Sequence, residues 1–165
     1  MSLYTPRAVE PAALAALRSV DDAGRPCLPY AAEEDGDPLR CCLRPGRAGE
    51  RIALVSYAPL RRWAAAAGAA PGAYDEVGPV FVHAEECGGP GSSGAWEEEA
   101  YPFERAGALR TVRRYGTDGR ILGGRLVELP GLDEAFAEAF ADPAVALVHV
   151  RAVEYGCFHF EVRRP

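Results

Sequence analysis

The stretch that decides the fold is VALVHVRAVEYGCFHFEV, Val145 to Val162. VALVHV and CFHFEV read as two strands of a hairpin joined by the turn-forming RAVEYG. Alternate residues of a strand share a face. His149 therefore lies with Val145 and Leu147, while Cys157, His159 and Glu161 oppose Phe158, Phe160 and Val162. The phenylalanine face must be core, so His159 and Glu161 are expected to point away from it, towards solvent or a second layer.

Immediately upstream, LDEAFAEAFADP carries Leu132, Phe136 and Phe140 at four-residue spacing. That spacing makes one apolar stripe of a helix, and each phenylalanine it buries contributes roughly 2–3 kcal/mol. Asp133 and Glu134 in the first turn suit the helix dipole, and Asp142-Pro143 stops the helix. Before it, LRTVRRY and RILGGRLVEL flank Gly116-Thr117-Asp118-Gly119 and read as a hairpin.

The first half follows the same rules. EPAALAALRSVDDAG predicts a short helix with Pro11 in its first turn and Leu14 and Leu17 on one face. LRCCL, RPGRAGE and RIALVSY predict strand, loop and strand, and AAEEDGDP an exposed loop. LRRWAAAAGAAPG predicts one or two helical turns ended by Pro71 and Gly72, and VGPVFVH a strand. Ala84 to Ala100, with GGPGSSG and the acidic run Glu97 to Glu99, predicts a flexible loop. The order predicts one α+β domain over residues 1–165: a mostly antiparallel sheet with two or three packed helices.

Composition removes several chemistries. All 18 basic residues are arginine, and lysine, asparagine and glutamine are absent. Lysine Schiff-base chemistry, a P-loop lysine and a Cys-His-Asn protease arrangement are therefore excluded. A net charge of −6 argues against a general nucleic-acid binder. No apolar run reaches the roughly 20 residues of a membrane span, and MSLYTPRAVEP has no secretory pattern, so a cytoplasmic, reducing location is expected. The five cysteines are then thiols, with the adjacent Cys41 and Cys42 directed to opposite faces of a strand.

PLRCCLR followed by GE, then VGPVFVH, LRTVRRYGTDGRI, and FADPAVALVHV with GCF, in that order, resemble the family numbered 1203 among domains of unknown function. The resemblance runs from about Pro38 to the C-terminus. It implies a single-domain bacterial protein without an assigned activity, carrying a PCRxCL-like segment and an IHVHNA-like strand end. Leu39 stands where that pattern has its first cysteine, Cys42 matches the second, and Arg151 and Ala152 replace a histidine and an asparagine. His83, His149 and Cys157 match.

These residues define the candidate sites. His83 ends a strand where a loop begins, a position that fixes a group and exposes it. The RAVEYG turn leaves room for Cys157 to approach His149 across the terminal hairpin without fixing that approach, and a thiol beside a base is a potential nucleophile. Arg113 and Tyr115 share a strand face and, with Cys42 near Arg40 and Arg44, form a candidate ligand-binding set. His83, His149, His159, Cys42 and Cys157 supply metal donors, but no CxxC or HExxH spacing is present, so no metal and no cofactor is assigned. The leading expectation is a small-ligand-binding or protein-interaction module, compatible with homo-oligomers and without nucleic-acid or membrane partners. The alternative is a small hydrolase-like or metal-assisted enzyme using His83, His149 and Cys157.

Overall fold

The computed structural model describes residues 3–91 and 100–165. Its elements run α1 (Pro11–Leu17), β1 (Tyr30–Ala31), β2 (Pro38–Leu39), β3 (Arg44–Pro45), β4 (Arg51–Tyr57), α2 (Pro59–Ala67), β5 (Gly78–His83), β6 (Leu109–Gly116), β7 (Ile121–Glu128), α3 (Leu132–Ala141), β8 (Val145–Ala152) and β9 (Phe158–Arg163). This is the expected α+β layout, with the strands divided between two sheets. One has the order β1-β4-β5-β2-β3, the other β7-β6-β8-β9. Every pairing is antiparallel except β2 on β5, which is parallel through Leu39 and Phe81.

The helices form where the sequence places them. Pro11 and Pro59 stand in the first turns of α1 and α2, where their missing N–H groups leave no helical bond unmade. α2 ends earlier than Pro71: Gly68 at φ 70° caps it and returns its N–H to the Ala64 carbonyl. α3 buries Leu132, Ala135, Phe136, Ala139 and Phe140 against the four-stranded sheet. Tyr4 and Tyr101 meet Phe136 edge-on.

Two departures from the expected strands matter for the site. LRCCL is a strand only as far as Leu39. Arg40 to Leu43 form a turn, closed by the Leu43 N–H on the Leu39 carbonyl, with Leu43 at φ 59°. At the other end of the chain, pairing shifts register between Val150 and Arg151, so Val150 faces Phe160 and Arg151 faces Phe158. The extra residue, His159, breaks the alternation. Phe158 consequently joins the core under the five-stranded sheet, with Tyr57, while Phe160 and Val162 join the α3 core. His159 and Glu161, expected to face solvent or a second layer, are both buried, so the second layer is what covers that side of β9.

Among the described residues no helix is long and apolar enough to cross a membrane. The expected loop from Ala84 to Ala100 falls partly outside the described residues, which resume at Ala100.

Candidate metal centre

The parallel pairing of β2 and β5 carries the site. Leu39 is level with Phe81, and the Arg40 N–H donates to the Phe81 carbonyl at 2.9 Å. Parallel strands advance together, so Cys41 arrives beside His83, each two residues further on. The turn at 40–43 then brings Cys42 back to the same side, and the two sulfurs lie 3.9 Å apart. Cys87 joins from the segment after β5. The donor atoms of Cys41, Cys42, His83 and Cys87 all lie within 4.8 Å of one another.

His83 presents Nδ1 to both thiols, 3.3 Å from Cys41 Sγ and 3.8 Å from Cys42 Sγ, and its backbone N–H donates to Cys41 Sγ at 3.2 Å. A tetrahedral site with metal–sulfur bonds of about 2.3 Å and a metal–nitrogen bond of about 2.0 Å has edges of roughly 3.5–3.8 Å. The three measured separations between side-chain donors, 3.3, 3.8 and 3.9 Å, bracket those edges.

On its far side, His83 Nε2 lies 3.2 Å from Arg44 NH2 and 3.5 Å from Glu50 Oε1. Arg44 can only donate and an ionised Glu50 can only accept. Either ring tautomer therefore finds a partner. Arg44 and Glu50 hold each other through two hydrogen bonds, at 2.5 and 3.1 Å, and Glu50 also accepts the Arg47 N–H. The bond from Arg44 overcomes the opposing effect of burial and holds the Glu50 carboxyl down at about 2. Arg18 fixes the end of β5, donating to the carbonyls of His83 and Glu85.

The thiols polarise one another. Cys41 donates to Cys42, which pushes the Cys42 thiol down and the Cys41 thiol up. His83 and Arg44 favour the Cys42 thiolate further, against its burial. Cys41 and Cys87 also line an open cavity of about 480 Å³ beside α1, which gives the cluster a route to solvent.

His149 and Cys157 are not part of this cluster. His149 is wholly buried between the rings of Tyr115 and Phe158, with Nε2 3.1 Å from Glu161 Oε2. Cys157 lines a separate groove and sets its thiol towards the Tyr155 carbonyl at 3.7 Å. No hydrogen bond or ring contact joins any two of His83, His149 and Cys157. The structure does not bring the three together: the hairpin register that pairs His149 with Glu161 leaves Cys157 beyond the bulge, and His83 belongs to the other sheet.

Arg113 and Tyr115 do meet, at 3.5 Å, but Glu76 already supplies a carboxylate, 2.7 Å from Arg113 and 3.4 Å from Arg151. Of that expected ligand set only Cys42 lies in the cluster. Sequence reasoning missed Cys41 and Cys87. The signal was present as a Cys-Cys pair followed by His-x3-Cys at residues 83–87, a histidine and thiol spacing short enough for one ion. Assigning Cys41 to the opposite strand face concealed it.

The fold and this site define an α+β protein with a cluster of three thiols and an imidazole at a parallel strand junction. The chain belongs to the family described as protein of unknown function (DUF1203), whose model matches residues 36–164. No curated protein and no solved structure matches it. The family resemblance had marked Leu39 as a lost thiol; Cys41, two positions on, places a sulfur in the cluster instead.

Proposed function

We propose that the protein binds a thiolate-preferring metal ion, zinc in the first instance, through Cys41, Cys42, His83 and Cys87. The observation that carries the reading is the convergence of these four donors within 4.8 Å, drawn from two separate parts of the chain. Soft sulfur donors with one imidazole suit zinc or copper(I) rather than magnesium or calcium. His83 Nδ1 is the coordinating atom in this reading. Its Nε2 then carries the proton and turns to Glu50, the carboxylate–histidine support common behind metal ligands. Arg44 remains paired to Glu50, and its charge favours thiolates at Cys42. This reading makes the protein a binding module whose small ligand is an ion.

The test is metal content and spectroscopy on the full chain. Saturation with zinc followed by dialysis should leave one zinc per chain by elemental analysis. Cobalt(II) in its place should give thiolate-to-metal charge-transfer bands and intense tetrahedral visible bands. Cys42→Ser and His83→Ala should lower retention at least tenfold, with Cys157→Ser unchanged. Zinc retained far below one per chain, or lost equally in Cys157→Ser, defeats the reading.

A further inference from the structure

A second site lies away from the thiol cluster. Between the outer face of the five-stranded sheet and the β8–β9 turn runs an open groove of about 810 Å³, within the size of small-molecule sites, which are commonly about 300–1,000 Å³. Its walls are apolar: Leu54 and Phe81, paired across β4 and β5, Phe103, and the exposed ring of Tyr155.

The lining carries three guanidiniums, Arg40, Arg105 and Arg110, and three carboxylates, Asp37, Glu104 and Glu154. Arg40 and Arg110 are 2% and 6% exposed, yet neither is paired with a carboxylate among the described residues. Arg40 donates to the Phe158 and Pro38 carbonyls, and Arg110 to those of Leu109 and Phe103. Burying a guanidinium with only carbonyl dipoles is costly, and burial pulls both downward, Arg40 to about 10. None of the three carboxylates forms an ion pair with Arg40 or Arg110, although Glu154 acts on Arg110 through space. Glu104 accepts the Tyr101 N–H, Glu154 faces Arg105 at 3.7 Å, and Asp37 acts on Arg40 only through space.

His159 completes the set. It is 5% exposed, lines the groove, and its Nδ1 is buried with no hydrogen-bond partner. Burial first, then the charges of Arg40 and Arg110, keep the ring neutral, down to about 3. Phe103 ties the three together. Its ring meets His159 at 5.1 Å and lies 5.9 Å from the Arg40 guanidinium carbon, and its carbonyl accepts from Arg110. Phe103 also adopts φ 59°, a conformation that costs a non-glycine residue of order 1–3 kcal/mol and tends to persist where a site requires it.

We propose that this groove binds a small carboxylic acid with an apolar body, its carboxylate against Arg40, Arg110 and His159 and its hydrocarbon along Leu54, Phe81 and Tyr155. The acid supplies the anion that the buried guanidiniums lack, and the neutral His159 can donate one further hydrogen bond to it. The site does not depend on the metal reading.

The test is titration of the full chain with benzoate, phenylacetate and octanoate, against benzamide and octanol as uncharged counterparts. Amide chemical shifts report the location and calorimetry the affinity. At least one carboxylate should bind tenfold or more tighter than its uncharged counterpart, with shifts centred on Phe81, Phe103 and His159. Arg110→Met should weaken it tenfold. Should that variant fail to fold, Leu54→Asp, on an exposed sheet position, places a like charge in the groove and should weaken it as much with an unchanged melting temperature. Equal binding of the uncharged compounds, shifts centred elsewhere, unaltered affinity in Leu54→Asp, or no binding of any probe at ten millimolar overturns the proposal.

Discussion

His149 donates a hydrogen bond from Nε2 to Glu161 Oε2 at 3.1 Å, with both side chains buried. Burial favours the neutral imidazole, while the bonds from His149 and Arg163 outweigh burial and keep Glu161 ionised. The pair joins β8 to β9 and is structural. His149→Ala would leave the Glu161 charge with Arg163 alone and should cost about 3–5 kcal/mol in a denaturant titration. A loss below about 1 kcal/mol would contradict the structural role.

Stability should also fall in acid for reasons that can be assigned. His149 and His159 both sit below the ordinary 6.5, so the unfolded chain takes up protons there that the folded chain refuses. Their contribution is complete above pH 6.5 and declines as pH drops below it, for His159 until about 3. Each refused proton makes a slope of about 1.4 kcal/mol per pH unit. Glu161 acts in the same direction lower down: its stabilisation is present above 4.5 and is lost as pH falls through its depressed folded value. Unfolding free energies measured between pH 8 and 4 should bend downward near 6.5, and His159→Phe should flatten that bend.

Asp22 holds the start of α2 to the loop after α1. It accepts two bonds from Arg62, at 3.0 and 2.7 Å, and the Ala58 N–H at 2.8 Å. Asp22→Ala removes all three and strands the Ala58 N–H, so a loss of about 2–3 kcal/mol is expected. Asp22→Asn can retain the Ala58 bond and should lose less. Thermal melts of both variants would separate the two effects.

The α3 core rests on Phe136, which is fully buried against Tyr4 and Tyr101. Phe136→Ala opens a cavity there and should cost about 3–5 kcal/mol by urea denaturation. A solvent-facing α3 change such as Glu134→Ala should be close to neutral.

If the thiol cluster holds zinc, a chelator should act on stability as well as on metal content. Binding to the folded chain alone contributes about 4 kcal/mol at a thousandfold excess over Kd. A chelator should therefore lower the melting temperature of the zinc-loaded protein and leave that of Cys42→Ser unchanged.

The sequence by itself determined the elements and the fold class. Those follow from neighbours along the chain: the four-residue spacing of Leu132, Phe136 and Phe140, Gly116 and Gly119 bounding the hairpin turn, and Pro11 opening a helix. It also determined which chemistries are absent, since a chain without lysine, asparagine or glutamine cannot use them. Only the tertiary structure decided the sites. Cys41 meets His83 because β2 pairs in parallel with β5 at Leu39 and Phe81, a choice made by long-range packing that no local pattern records. A one-residue bulge at His159 moved Phe158 out of the core that holds Phe160 and Val162. A second layer over β9 buried Glu161 against His149, and His159 beside the arginines of the groove. Period and composition act within a few residues, whereas register and turn direction are settled by what the whole chain must bury.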